Sequence, residues 1–293
     1  MAFALRSCTL VARISLPSLL DGVRNISVSA VSRARKAHEK PLLETDLSFI
    51  RHNPSHPKPR TQGLTEIRAA YYTVMGPNYL SDVLETMGHW VDGLKFAGGS
   101  HTLFPESKLR EVIELAHSHD VYVSTGGNII FTVSRLTAGF VEHLLTHPQP
   151  VATIEKYLVK CKDLGFDVIE LSKGFLSLPG DDWIRLVETV QKHKLEPKPE
   201  LGIAFGAGGD TEGIEATSDP SGLISQAKKF SDMGVNKMMV ESEGITENVG
   251  DNWRTDVITK IARELPMEKM MFEAADPKVF TWYIRGMSEV RLR

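Results

Sequence analysis

The sequence predicts an α/β fold of the TIM (β/α)8 barrel class, with the eighth βα unit cut short at the C-terminus, and three observations carry that reading. A short apolar or β-branched run, a loop with small or acidic residues and a stretch with helical spacing recur at least seven times after residue 60. Strict alternation of this kind implies parallel strands joined by crossover helices, and continuous apolar runs such as MMV and MMF suggest a sheet covered on both faces. Lys95, Glu170, Glu200, Glu241 and Glu273 each close a different apolar run. A barrel brings such residues to one mouth, where the catalytic groups of this fold sit, whereas a doubly wound open sheet spreads them along a line.

The first 40 residues differ from the rest. They carry Arg6, Arg13, Arg24, Arg33, Arg35 and Lys36 among several serines, with Asp21 the one acid before Glu39. An arginine-rich, acid-poor leader predicts a disordered mitochondrial transit peptide over 1–40, the cytoplasm being the location otherwise. No apolar run there reaches the roughly 18 residues that span a bilayer. Residues 41–60, with prolines and histidines in HNPSHPKPR, read as a linker, and 61–293 as the barrel domain. Within it the pattern predicts strands over 64–68, 93–96, 121–125, 168–171, 200–204, 237–241 and 269–273. Helices are predicted over 107–117, 154–164, 181–193, 223–233, 253–265 and 278–285.

Composition narrows the partners. A chain of 293 residues, 42% hydrophobic and 24% charged, can bury one full core beside an appendage. Its net charge of −3, with no arginine run in the main body, argues against nucleic-acid and polybasic membrane binding. Cys8 and Cys161 allow no disulfide framework, which suits a reducing compartment.

The stretch DGLKFAGGS offers an anion site. A strand that ends in Lys95 and turns through Gly98, Gly99 and Ser100 exposes backbone N–H groups beside a point charge. Four carboxylates gathered at one mouth repel one another and raise some pKa values unless a cation sits among them. Oxygen-only ligands of this kind suit Mg²⁺. The glycine-rich FGAGGDTEG lacks the GK[ST] ending of a phosphate-binding loop and reads as a flexible loop bordering the site.

In their order and spacing, KPRTQGLTEIR, VDGLKFAGGS, VYVSTGG, LGFDVIELS, KPELG, MMVESEG and MMFEAAD resemble the phosphosulfolactate synthase family. The likeness is to its eukaryotic branch, which includes a plant heat-stress-associated protein. The resemblance implies a TIM barrel, Mg²⁺ as cofactor and addition of sulfite to phosphoenolpyruvate, a lyase reaction of sulfonate biosynthesis. It implies Lys95 and Glu200 as catalytic residues and Glu170, Glu241 and Glu273 as metal ligands. Gly98, Gly99, Ser100, Gly126 and Gly127 would bind a small anionic phosphorylated substrate. A homo-oligomer or a chaperone-related partner is also compatible with that branch.

The chain departs from the family pattern at three places. Ile203 and Ala204 follow Glu200-Leu201-Gly202 where the archaeal pattern has a lysine pair, so the lysine proposed as general acid is replaced by Ala204; Glu243 likewise stands where a basic residue is found. Residues 128–139, NIIFTVSRLTAG, have no counterpart and read as a translated intron remnant, with a lid as the alternative. The pattern also continues past Arg293 through an eighth strand, a loop and a helix. Two functional readings therefore stand side by side: a working synthase, and a catalytically inactive barrel acting through protein contacts in heat-stress tolerance.

Overall fold

The computed structural model of the chain describes residues 40–50, 56–68, 75–127, 149–172, 180–203, 219–274 and 276–290. The leader, the unmatched segment 128–139, Ala204 and the loop 205–213 lie outside the described residues.

Seven parallel strands pair in strict sequence order, β1 to β7, and curl into an incomplete barrel. The strands are β1 (Glu66–Arg68), β2 (Gly93–Lys95), β3 (Tyr122–Ser124), β4 (Val168–Leu171), β5 (Glu196–Leu201), β6 (Met238–Val240) and β7 (Met270–Phe272). Between and after them run α1 (Pro77–Met87), α2 (Glu106–Ser118), α3 (Gln149–Leu164), α4 (Gly180–Lys192), α5 (Ser221–Asp232), α6 (Thr255–Glu264) and α7 (Pro277–Val290). Among the described residues the two outer strands do not pair, yet the curl brings their ends close enough for Arg68, at the end of β1, to reach Glu273, just past β7, at 3.2 Å.

Two faces of the sheet have opposite chemistry. Leu94, Ile169, Leu171, Leu201, Met238 and Val240 point outward and pack with helix residues such as Leu84, Ile113, Trp183, Phe230 and Ile261 in one buried apolar cluster. Burying such side chains contributes about 1.5–3 kcal/mol each. The alternate residues point into the barrel. There the bulky branched side chains that usually fill such a barrel give way to Tyr122, Lys95, Glu170 and Lys198, all buried or nearly so. Period-two alternation thus separates an oily outer layer from a charged interior.

Two elements correct the sequence reading. The fifth strand begins at Glu196, ahead of the predicted 200–204, although Pro197 and Pro199 cannot donate to a ladder. β4 accepts residues 196–199 as neighbours, while pairing to β6 begins only at Glu200, past both prolines. The periodicity also does not predict α1; its Leu80 and Leu84 are fully buried at helical spacing, and Pro77 opens its first turn.

The linker's end is bound to the N-terminal rim of the strands. Lys58 donates to the carbonyls of Gly88 at 3.0 Å, Val91 at 2.5 Å and His119 at 2.8 Å. Arg60 pairs with the buried Asp92 at 2.8 Å, whose other oxygen accepts the Thr65 N–H. Replacing Lys58 with methionine keeps the stem and leaves three carbonyls without their donor. It should lower unfolding free energy by about 2 kcal/mol, read from the urea midpoint at unchanged m-value.

Candidate active site

The charged interior is a chain of alternating signs. Lys198, in the middle of β5, places its ammonium 2.5 Å from Glu66 Oε1 of β1 and 2.8 Å from Glu170 Oε2 of β4. The second oxygen of Glu170, Oε1, lies 2.5 Å from the ammonium of Lys95, which ends β2. Lys95 in turn faces Glu200 Oε1 at 3.7 Å. Lys198 and Glu170 are wholly excluded from solvent, and Lys95 is 7% exposed. Solvent contact thus grows along the chain from Lys198 toward Lys95 and the mouth.

Glycines make room for this arrangement. A Cβ at Gly127 would stand 2.6 Å from Glu200 Oε2 and 2.9 Å from Glu170 Oε1, and one at Gly202 would overlap Glu241 Oε2. No larger residue fits at either position while both carboxylates stay in place. After β2, Gly98 and Gly99 take successive left-handed conformations, φ 53° and 75°, a turn that side chains resist. His101 of the same loop is buried against Phe96 and Phe166, and its ring nitrogen lies 3.1 Å from the Tyr157 hydroxyl.

Electrostatics divides the carboxyls into two kinds. Burial opposes the charge on Glu170, but Lys198 and then Lys95 override it and hold the group down to about 2. Burial likewise works against the ammonium of Lys95, and Glu170 followed by Glu200 raises its pKa well above the lysine range. Glu200 moves the other way: burial and the neighbouring Glu170 push it up to about 7. Glu241 rises to about 8 through burial, Glu200 and Glu273. Glu273, by contrast, reaches Arg68 and the Ser242 hydroxyl, the latter at 3.3 Å. Among the described residues of this interior, five carboxyls, Glu66, Glu170, Glu200, Glu241 and Glu273, thus share three cations, Lys95, Lys198 and Arg68. The two left over are those whose pKa values rise.

The structure therefore brings Lys95, Glu170 and Glu200 into direct contact and sets Glu241 and Glu273 beside them. Gly127 lies against the two carboxylates of β4 and β5, while Gly98, Gly99, Ser100 and Gly126 lie in the loops that follow β2 and β3. Ala204 lies outside the described residues. Three participants escape the sequence reading: Lys198, Glu66 and Arg68. Their signal is the alternation Glu66-x-Arg68 and Glu196-x-Lys198-x-Glu200, charges on one face of a strand, which the intervening prolines obscure in β5.

An Mg²⁺ site is compatible with this donor set. The carboxyls at the mouth offer only oxygen ligands, and among the described residues of this interior Glu200 shares Lys95 with Glu170 while Glu241 stands in no ion pair. Among the same residues no group of three or more His, Cys, Asp or Glu side chains is gathered on one point. Mg²⁺ commonly takes one or two carboxylates and completes its shell with water and substrate oxygens.

Known proteins resemble this chain over most of its length. Protein HEAT-STRESS-ASSOCIATED 32 of Arabidopsis thaliana is 33% identical over 252 residues, covering 81% of this chain and 83% of that protein. Phosphosulfolactate synthase of Methanothermobacter thermautotrophicus is 23% identical over 236 residues, covering 79% of this chain and 82% of that one. Among solved structures, D-psicose 3-epimerase superposes with a TM-score of 0.43 at 15% identity over 76% of this chain and 81% of that one. The family model for (2R)-phospho-3-sulfolactate synthase (ComA) matches residues 53–290, from the bound linker through the charged interior to the last helix. By that match the chain belongs to the (2R)-phospho-3-sulfolactate synthase (ComA) family.

Proposed function

We propose that this chain adds sulfite to phosphoenolpyruvate to give phosphosulfolactate, with Mg²⁺ as cofactor. The observation that carries the reading is that the ammonium of Lys95, at the mouth of the barrel, lies 2.5 Å from Glu170 and 3.7 Å from Glu200, a cation beside a carboxyl that burial and Glu170 push up to about 7. The reaction forms one C–S bond and one C–H bond. The sulfur lone pair attacks the methylene carbon, the π pair moves to the carbon bearing the phosphate, and that carbon then takes a proton.

Lys95 cannot supply that proton, because Glu170 and Glu200 raise its pKa. Its part is to hold an anionic group of the substrate, with the turn at Gly98 and Gly99 adding backbone N–H donors. Glu200, at about 7, is protonated in a useful fraction of molecules at neutral pH and is matched to general acid work. It stands in for the lysine absent at Ala204 and recovers its proton from solvent. Glu241 would hold the Mg²⁺, which when bound supplies a positive charge that stabilises negative charge developing on the substrate carboxylate.

The experiment is incubation of the purified protein with phosphoenolpyruvate, sulfite and Mg²⁺, following phosphosulfolactate by phosphorus NMR. Glu200→Gln and Lys95→Ala should each lower turnover by about 100-fold. No product from the unaltered protein would sink the synthase reading. The second reading, an inactive barrel working through protein contacts, is favoured by the 33% identity to a heat-stress-associated protein. It predicts that Glu200→Gln leaves recovery from heat stress unchanged.

A further inference from the structure

Lys198 has no part in the chemistry just described. It is fully buried, and the ion pairs that link it to the mouth run through Glu170 and Lys95. A lysine is almost never enclosed so completely unless it is paired, and isolating its charge from water costs several kcal/mol. A well-packed apolar side chain would fill the same space at lower cost. Its retention at the centre of a barrel asks for a consequence beyond packing.

Geometry supplies one. A carboxylate held by one ammonium can rotate about its last bond and share either oxygen. Glu170 is held by two, Lys198 on Oε2 at 2.8 Å and Lys95 on Oε1 at 2.5 Å, so neither oxygen is free to exchange. Lys198 is itself anchored on the far side by Glu66 at 2.5 Å. The strand around it is stiff, since Pro197 and Pro199 flank it and fix their own backbone torsions. A Cβ at Gly127 would collide with both the Glu170 and Glu200 carboxylates, so the backbone there leaves room for these two groups and little else.

We infer that Lys198 is a positioning residue: through Glu170 it fixes the ammonium of Lys95 at the place where the substrate anion binds. The part of this concerning the substrate rests on the synthase reading; the part concerning Lys95 does not. Without Lys198 the whole charge of Glu170 falls on Lys95, which then swings into the interior as a closed ion pair. An anion at the mouth loses its partner.

The test uses the full chain with ¹⁵N-labelled lysine. Buried, paired ammonium groups exchange slowly and give sharp NH₃⁺ signals, which Lys95→Ala and Lys198→Met assign. Glu66→Gln is isosteric and touches Lys198 rather than Lys95, and Lys198 keeps Glu170 in it, so it should shift or broaden the Lys95 signal in protein that still folds, as circular dichroism checks. Glu66→Leu combined with Lys198→Met replaces one buried pair by apolar groups at constant charge. It should remove the sharp Lys95 signal and weaken phosphoenolpyruvate binding by about tenfold in calorimetry. An unchanged Lys95 signal in folded Glu66→Gln protein overturns the inference, whatever the double variant does. If the signal responds but phosphoenolpyruvate binds neither the unaltered protein nor the variants, the positioning of Lys95 stands and the synthase reading falls.

Discussion

Replacing Glu170 with glutamine should cost about 3–5 kcal/mol of stability, because it leaves two enclosed ammonium groups facing one another across a neutral amide. Lys198 would keep Glu66, but Lys95 would keep only Glu200, at 3.7 Å. A domain of this kind is stable by about 5–15 kcal/mol in total, so the variant should unfold at a much lower urea concentration or fail to accumulate. Combining Glu170→Gln with Lys198→Met and Glu66→Leu removes the repulsion on Lys95 without stranding Glu66 and should recover part of the loss. Equal urea midpoints for the single and triple variants would show that repulsion between the two lysines is not the cause.

The second large effect is a dependence of stability on pH with an unusual sign. Glu200 and Glu241 hold their protons in the folded state up to about 7 and about 8, against an ordinary carboxyl value of 4.5. Between 4.5 and about 8 the folded protein therefore binds more protons than the unfolded chain. Unfolding free energy must fall as pH rises through that window. A tenfold difference in proton affinity between the folded and unfolded states is worth about 1.4 kcal/mol, so the loss is on the order of a few kcal/mol for the pair, which titrates as one coupled system. Glu170, held down to about 2, acts in the opposite sense, its stabilisation complete above 4.5 and lost on further acidification. Urea titrations across this range should find the greatest stability near about pH 5. Adding Mg²⁺ should flatten the decline toward higher pH, since a cation takes the place of the two protons. Glu241→Gln should remove the larger part of the slope. A stability that is level from about pH 5 to about pH 8 without Mg²⁺ would contradict the charge inventory of the site.

Both effects arise in a barrel whose interior is ionic. The usual apolar filling makes a barrel core indifferent to pH and to the order in which ligands arrive. Here Lys95, Lys198 and Arg68 are each engaged with carboxylates. The same inventory explains why glycines stand at 127 and 202, where any side chain would displace a carboxylate.

The layer order, the number of strands and most of the residues at the mouth are legible in the sequence, because these are local. Alternation of apolar runs with helical periods is written along the chain, and parallel connections follow from it. The strand-end position of Lys95, Glu241 and Glu273 was legible for the same reason, whereas Glu200 stood at the start of the predicted fifth strand and near the end of the observed one. Which charges meet depends on the curled-up sheet. Lys198 and Glu66 lie 132 positions apart, and Arg68 reaches Glu273 across 205. No spacing rule links such residues; the curl of the sheet does. Prolines on either side of Lys198 argue against a strand there, and they are tolerated because β6 pairs only beyond them. The pKa values divide on the same ground. Glu170 and Glu200 are two acidic strand residues in the sequence, and one is held down and the other pushed up because the first has two lysines against it and the second shares one at 3.7 Å.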